Sequence, residues 1–324
     1  MSRASVLAEA VPPLVARPRA IEAEPLPDGL WPLVEAAAAE TPDRVALDFF
    51  EDGETLTFAG LRERANRLAA GLAGIGIGRG MHVAVMLPNR LAFPVTWLAL
   101  ARLGAVMVPM NPQSTVHELT FMLEHSKCSA VVADADRADD TRAATHAPVV
   151  ALGTDFDTRS VSSVAVRPAD LDPRAPLAVL YTSGTTSRPK GVVVTHANYL
   201  VAGEVIAQQV RMRSDDRWLV VLPMFHANAQ YYSTMSALVS GASIALMDRF
   251  SASGWGDQAR RPGATLGSLF AAPIRMILAQ PPERATGSCV LRATYFAQNL
   301  TTEELDDFER RFGCPLVQWY GMTE

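Results

Sequence analysis

The densest group of chemically capable side chains lies just past the midpoint, in Tyr181 to Val194, YTSGTTSRPKGVVV. Hydroxyl, glycine and basic residues run there without interruption: Thr182, Ser183, Gly184, Thr185, Thr186, Ser187 and Arg188. Pro189, Lys190 and Gly191 then turn into a second apolar run. Backbone N–H groups, hydroxyls and cations gathered in this way suit a polyanion, and phosphate is the natural one. So many small residues cost backbone order and contribute little hydrophobic burial, which favours chemistry over filler. Read alone, the stretch is also an ordinary surface loop between two strands. It is not a nucleotide triphosphatase loop, which needs Gly-Lys followed by Ser or Thr; here Lys190 lies between Pro189 and Gly191. Gly184 and Gly191 are too far apart for the dinucleotide fingerprint.

Two further stretches carry candidate chemistry. Leu222-Pro223-Met224-Phe225-His226-Ala227-Asn228 follows a predicted strand and opens a predicted helix. Ligands of open α/β sheets bind beyond the carboxyl ends of strands, where His226 would lie, with Asn228 and Gln230 adding polar groups. His226 reads equally as a helix cap or a satisfied core histidine. Tyr320-Gly321-Met322-Thr323-Glu324 also lies just past a strand. Its ring can stack on a base, its hydroxyl can donate to a phosphate oxygen, and its carboxylate can hold Mg²⁺. Taken alone, these five residues are also a loose terminus.

The elements that must position these stretches alternate. Strands are expected at Arg44 to Phe50, Glu54 to Thr57, His82 to Leu87, Ala105 to Val108 and Ala130 to Ala133. Helices are expected at Leu30 to Ala39, Phe58 to Ile75, Leu91 to Leu103 and Thr115 to Ser126. Residues 134 to 174 break the rhythm, with only Val149 to Leu152 strand-like, and read as a linker or variable excursion. The alternation then resumes. Ala227 to Leu238 is expected as a helix, and Thr301 with Glu304 forms a capping box for the last helix. Such alternation implies βαβ units and a mostly parallel sheet. The expected organisation is an N-terminal surface extension and helix over 1–40, a first α/β subdomain over 41–174, and a second over 175–324.

Composition narrows the class. The 324 residues are 49% hydrophobic and 19% charged with a formal charge of −5, which fits a folded globular protein without a nucleic-acid footprint. Cys128, Cys289 and Cys314 show neither metal spacing nor a disulfide framework, so a reducing cytoplasmic setting is expected. The N-terminus lacks the continuous apolar core of a signal peptide. The most apolar window, Leu91 to Met110, is interrupted by Arg102 and Gly104 and reads as a buried helix and strand rather than a membrane span.

The three stretches occur together and in order, and as a set they resemble the acyl-adenylating superfamily, which includes acyl-CoA synthetases, peptide-synthetase adenylation domains and firefly luciferase. YTSGTTSRPKG resembles its phosphate loop, LPMFH its aromatic-His block, and YGMTE its Tyr-Gly-x-Thr-Glu block. The likeness runs from about Val45 to the end. Phe225 to Gln230, Ile274 to Pro282 and Leu291 to Gly321 look most like crotonobetaine/carnitine–CoA ligases. The fold implied is α/β, the N-terminal large domain of such an enzyme, built of two βαβ-layered subdomains.

The chemistry implied is ATP-dependent activation of a carboxylic acid to an acyl-adenylate, followed by transfer to coenzyme A. A carrier-protein phosphopantetheine is the alternative acceptor, and a catalytically inactive nucleotide-binding relative is the alternative of another class. ATP, Mg²⁺ and coenzyme A are the implied cofactors; neither nucleic acid nor an integral membrane is implied, and a homodimer is admissible. The resemblance places Thr182, Ser183, Gly184, Thr185, Thr186 and Lys190 on the phosphates, and Gln298, Tyr320, Gly321 and Thr323 on the nucleotide. It places Glu324 on Mg²⁺. His226, Lys190 and Thr185 would stand at the reacting groups. His226, Ala227, Asn228, Gln230, Phe296 and Trp319 would meet the acid. A Gly-Gly-Ala-Pro-Leu-like turn is usual in the family where this chain has Phe296-Ala297-Gln298-Asn299-Leu300, so the bulky Phe296 is expected to reshape the nearby pocket. The family continues beyond YGMTE into a small domain that carries the adenylation lysine. The chain therefore reads as a truncated large domain, whose carboxylate-dependent pyrophosphate exchange is expected near background.

Overall fold

The computed structural model describes residues 26–153, 167–182, 189–281, 291–321 and 323. Helix α1 (Trp31–Glu40) leads into the hairpin of β1 (Val45–Phe49) and β2 (Glu54–Thr57). Thr57 caps α2 (Phe58–Gly74) by accepting from Gly60 N, and Leu61, Ala65, Leu68, Ala69 and Leu72 are buried, as their helical spacing predicts. There follow β3 (His82–Met86), α3 (Ala92–Leu103), β4 (Val106–Pro109), α4 (Val116–Ser126), β5 (Ala130–Asp134), α5 (Ala138–Ala144) and β6 (Val149–Leu152). Strands β7 (Pro176–Thr182) and β8 (Lys190–Thr195) flank the Ser/Thr/Gly-rich stretch, and α6 (His196–Gln209) follows. The second half runs through β9 (Arg217–Val220), a π-helix (Asn228–Met235), α7 (Ser236–Val239), β10 (Ser243–Leu246) and α8 (Trp255–Arg260). It ends with β11 (Leu266–Phe270), α9 (Ala271–Leu278), β12 (Ala293–Ala297), α10 (Thr302–Phe312) and β13 (Leu316–Gln318).

A seven-stranded sheet has the order β13-β12-β11-β9-β10-β1-β2, and a six-stranded sheet has the order β6-β5-β3-β4-β7-β8. The edge strands β2 and β8 pair antiparallel with their neighbours; the other pairings among the described residues are parallel. Interior parallel strands are covered on both faces and read as continuous apolar runs, and all of Val83 to Met86 in β3 is buried. Val83 and Val85 of one sheet and Trp218 and Val220 of the other belong to a single apolar cluster, so the two sheets share a core. The apolar window at Leu91 to Met110 divides into α3 and β4, and among the described residues no helix is long and apolar enough to cross a membrane.

Three expectations change. Residues 134–174 are not wholly a linker: a short 3₁₀ turn and α5 follow β5, and β6 pairs in parallel with β5, a further βαβ unit. Its helix buries only Ala138, Thr141 and Ala144, too small to register as apolar periodicity. The end of that stretch also docks, with Ala169 N donating to Arg102 O at 2.9 Å. Second, the sheets do not divide at residue 174. The β7–β8 hairpin joins the first sheet and the β1–β2 hairpin joins the second, so the chain changes sheets more than once. Third, the helix expected at Ala227 to Leu238 is a π-helix before it is an α-helix, with Thr234 Oγ1 donating to Ala229 O five residues back at 2.8 Å.

Charge holds the amino ends of the second sheet. Asp216, buried just before β9, accepts from Thr265 Oγ1 at 2.7 Å, Arg213 N at 2.8 Å, and Arg292 at 3.1 and 2.8 Å. Thr265 and Arg292 precede β11 and β12, so one carboxylate ties the starts of these strands together. Arg217 extends the array by donating to Ser243 Oγ of β10 and Asp48 of β1, each at 3.0 Å. Burial pushes the Asp216 carboxyl up, but bonds from Arg292, Thr265 and Arg213 together outweigh it and hold the pKa below the usual value. Its contribution to stability is therefore complete above the unfolded carboxylate pKa and is lost as pH falls through the lower folded value. Asp216→Asn should destabilise the chain by about 2–4 kcal/mol near neutral pH. Urea unfolding should show the gap from wild type narrowing as the pH drops below about 4.

Candidate nucleotide and acid site

The carboxyl ends of β9 and β13, with β11 and β12 between them in the second sheet, present the residues of two blocks. From β9 the chain passes through Leu222-Pro223-Met224 to Phe225 and His226. The His226 and Phe225 rings lie 4.3 Å apart, and His226 N donates to Pro223 O at 3.0 Å. His226 reaches the surface, yet the partial burial of its ring lowers its pKa below the usual imidazole value. Asn228, two residues on, accepts from Ser268 Oγ of β11 at 2.8 Å. Beyond β12, Gln298 adopts a positive φ of 75°, and its carbonyl accepts from Gln318 Nε2 of β13 at 2.8 Å. Beyond β13, Trp319 N donates to Phe296 O at 2.7 Å, and the Trp319 ring stacks on Tyr295 at 4.3 Å.

Tyr320 then projects outward, 89% exposed. Gly321 faces the Tyr232 hydroxyl so closely that a Cβ there would lie 2.2 Å from it, so no side chain fits without displacing Tyr232. Tyr232 in turn meets the Trp319 ring edge-on at 5.1 Å. The π-helix thus braces the last block from below. Its adjacent tyrosines diverge: Tyr231 packs edge-on against Tyr199 at 4.6 Å, while Tyr232 turns to Trp319.

The first sheet meets this assembly through Asn89, just beyond β3. Its Nδ2 donates to Leu222 O at 3.1 Å and its Oδ1 accepts from Met224 N at 2.7 Å, both buried. One side chain thus fixes the backbone on both sides of Pro223. Because β3, β4 and β7 are parallel, the end of β7 at Thr182 lies on the same edge of the sheet as Asn89. Thr182 pairs with Lys190 across the β7–β8 hairpin, and Lys190 is exposed. Ser183, Gly184, Thr185, Thr186 and Glu324 lie outside the described residues; Thr323 is half-buried.

Two predicted acid-contacting residues are placed elsewhere. Gln230 is 0% exposed; its Nε2 donates to Met224 O at 2.7 Å and its Oε1 accepts from Tyr199 OH at 2.5 Å, so both ends of the amide are used in the core. It supports the aromatic-His block from within. Phe296 is 2% exposed and belongs to the cluster with Trp255, Phe308, Phe312 and Leu316. Strand alternation turns Tyr295 toward Trp319 and Phe296 to the opposite face, so Phe296 does not reshape the pocket as expected. The glycine-like backbone in that turn falls instead on Gln298. Ala227 and Trp319 are half-buried at the block ends.

Asn89, Ser268 and Tyr232 escaped the sequence reading. Asn89 carried one usable signal, a polar residue immediately after a buried strand; the partners of Ser268 and Tyr232 are distant in sequence and left no local trace. Among the described residues no group of three or more His, Cys, Asp or Glu could hold a metal ion. Asn89→Ala would orphan the buried Met224 N–H and Leu222 O and should cost about 1–3 kcal/mol in urea unfolding. NMR titration should find the His226 pKa below about 6.5 in wild type and closer to that value in the variant, as the loosened block hydrates the ring.

Comparison with known proteins identifies the family. A family profile described as "AMP-binding enzyme" matches residues 34–324. The crotonobetaine/carnitine–CoA ligase of Salmonella agona (strain SL483) is 34% identical over 304 residues, covering 87% of this chain and 58% of the relative. ATP-bound MatB from Rhodopseudomonas palustris has a TM-score of 0.81 at 25% identity, covering 91% of this chain and 60% of MatB. The inhibitor-bound N-terminal domain of FACL13 from Mycobacterium tuberculosis has a TM-score of 0.81 at 27% identity, covering 91% and 76% respectively. The chain therefore spans 58% of the length of curated relatives it matches. With the family profile running from α1 through the last block, the chain belongs to the AMP-binding enzyme family.

Proposed function

We propose that the protein activates a carboxylic acid with ATP, forming an acyl-adenylate and pyrophosphate, and that the acyl group then passes to the thiol of coenzyme A. The observation that carries this reading is the arrangement fixed by Asn89, which holds the His226 block of one sheet against the edge of the other from which the Thr182–Lys190 hairpin projects. Membership of the AMP-binding family and the likeness to ATP-bound MatB support it. The relatives named as CoA ligases favour coenzyme A over a carrier-protein arm as the acceptor.

In this reading the carboxylate attacks the α-phosphorus and pyrophosphate leaves. Lys190 and the hydroxyls of Thr182, Ser183, Thr185 and Thr186 counter the phosphate charge, which grows on the leaving oxygens in the transition state. The exposed Tyr320 ring stacks on adenine, Gln298 borders the base, and Gly321 permits close approach. Thr323 donates to the α-phosphate. His226, kept neutral near pH 7 by its lowered pKa, orients the acid and has no proton to remove from it, since carboxylates are already ionised. Ala227, Asn228 and Trp319 border the acid.

Mg²⁺ would neutralise charge on the phosphates. Glu324 would be its protein ligand, alongside oxygens of the nucleotide.

Calorimetric titration of ATP into the 324-residue chain tests the nucleotide half of this reading. Wild type should bind, and Lys190→Ala should weaken binding by about tenfold or more, the worth of a charge-assisted phosphate contact. Absence of ATP binding by the wild type would sink the proposal.

A further inference from the structure

The hairpin that carries Lys190 is held from outside by a contact that the proposed chemistry leaves unused. Tyr181, the penultimate residue of β7, shares a hydrogen bond between its hydroxyl and His125 Nδ1 at 2.7 Å. His125 lies in the last turn of α4, 56 residues away in sequence. Its ring is set by Phe121, stacked at 5.6 Å with the planes 21° apart, and it meets the Tyr181 ring edge-on at 5.7 Å. The end of α4 is itself anchored, since His82 Nδ1 at the start of β3 donates to Ser126 O at 2.6 Å.

On the other side, Tyr181 faces Gly191 across the hairpin. A Cβ on Gly191 would lie 2.9 Å from Val179 Cγ1 and 3.6 Å from the Tyr181 ring. Tyr181 therefore sits against the backbone of the residue that follows Lys190. Both stems of the hairpin, Tyr181–Thr182 and Lys190–Gly191, depend on where this ring is held. The phenol is protonated at neutral pH, and burial raises its pKa further above the ordinary tyrosine value.

We infer that the His125–Tyr181 pair positions the stems of the hairpin, so that Lys190 is presented to the nucleotide phosphates from a fixed place. Both are positioning residues and neither need touch the nucleotide. The inference rests on the ATP-binding reading above. A ring free to swing would let the β8 stem shift with it, and the Lys190 ammonium, on a long flexible chain, would spend less time where the phosphates lie.

The test is a double-mutant cycle read in ATP affinity by calorimetry on the 324-residue chain, at a temperature where every variant is folded. Tyr181→Phe removes one oxygen and leaves the ring over Gly191. It should weaken ATP binding about three- to tenfold, as should His125→Ala. The double variant should lose clearly less than the two single losses combined, because both changes remove the same hydrogen bond. His125→Gln, whose amide can still bond the phenol, should recover most of the loss. Unchanged ATP affinity in Tyr181→Phe, with only its urea midpoint lowered, would make the pair merely structural and overturn the inference. Fully additive losses in the double variant would also overturn it. Failure of the wild type to bind ATP would remove the functional reading and this inference together, whereas normal wild-type binding with an indifferent Tyr181→Phe removes only the latter.

Discussion

The carboxamide of Asn89 is the contact on which the geometry of the site depends. Two sheets that share an apolar core could slide against each other, because hydrophobic burial has no direction. Hydrogen bonds do. By donating to Leu222 O and accepting from Met224 N, Asn89 fixes the backbone of the aromatic-His block to the end of β3. Both bonds are buried, where an unmatched amide would be costly, so the two sheets keep one relative placement. Gln230 reinforces the same segment from beneath through Met224 O, and Tyr199 of α6 holds Gln230.

The charged ties and the candidate site lie at opposite edges of the second sheet. At the amino ends, Asp216, Arg292 and Thr265 tie β9, β11 and β12, and Arg217 reaches Ser243 and Asp48. At the carboxyl ends stand His226, Gln298, Trp319 and Tyr320 on those same strands or their neighbour. Fully occupied charges on one edge hold the strands in register. The opposite edge carries the exposed Tyr320 ring and His226. Strand β3 has the same double use in the first sheet: His82 at its start anchors α4, and Asn89 beyond its end holds the second sheet.

Much of this was legible in the chain because it is local. Thr57 and Thr301 cap their helices as side chains three residues from their partners, and Glu304 completes a capping box. Buried parallel strands announce themselves as apolar runs. The three chemical blocks were visible because strand ends concentrate small and polar residues. What failed was whatever required knowing the facing surface. Phe296 and Gln230 were read as pocket residues from their neighbours in sequence, yet strand alternation turns Phe296 into the lower core and the Tyr199 hydroxyl draws Gln230 inside. Helix α5 was missed because it buries two alanines and a threonine in place of larger apolar side chains.

The sequence by itself determined the alternation of strands and helices, most element boundaries to within a few residues, and the three ordered blocks that mark the AMP-binding family. These depend on backbone preference, side-chain period and contacts a few residues apart. Tertiary structure alone decided that the β1–β2 and β7–β8 hairpins exchange sheets, that the helix after His226 opens into a π-helix, and that Asn89 joins the two edges. Each of these rests on groups far apart in the chain, such as the 135 residues between Asn89 and Met224, and a linear pattern carries no record of which distant donor a buried acceptor will meet.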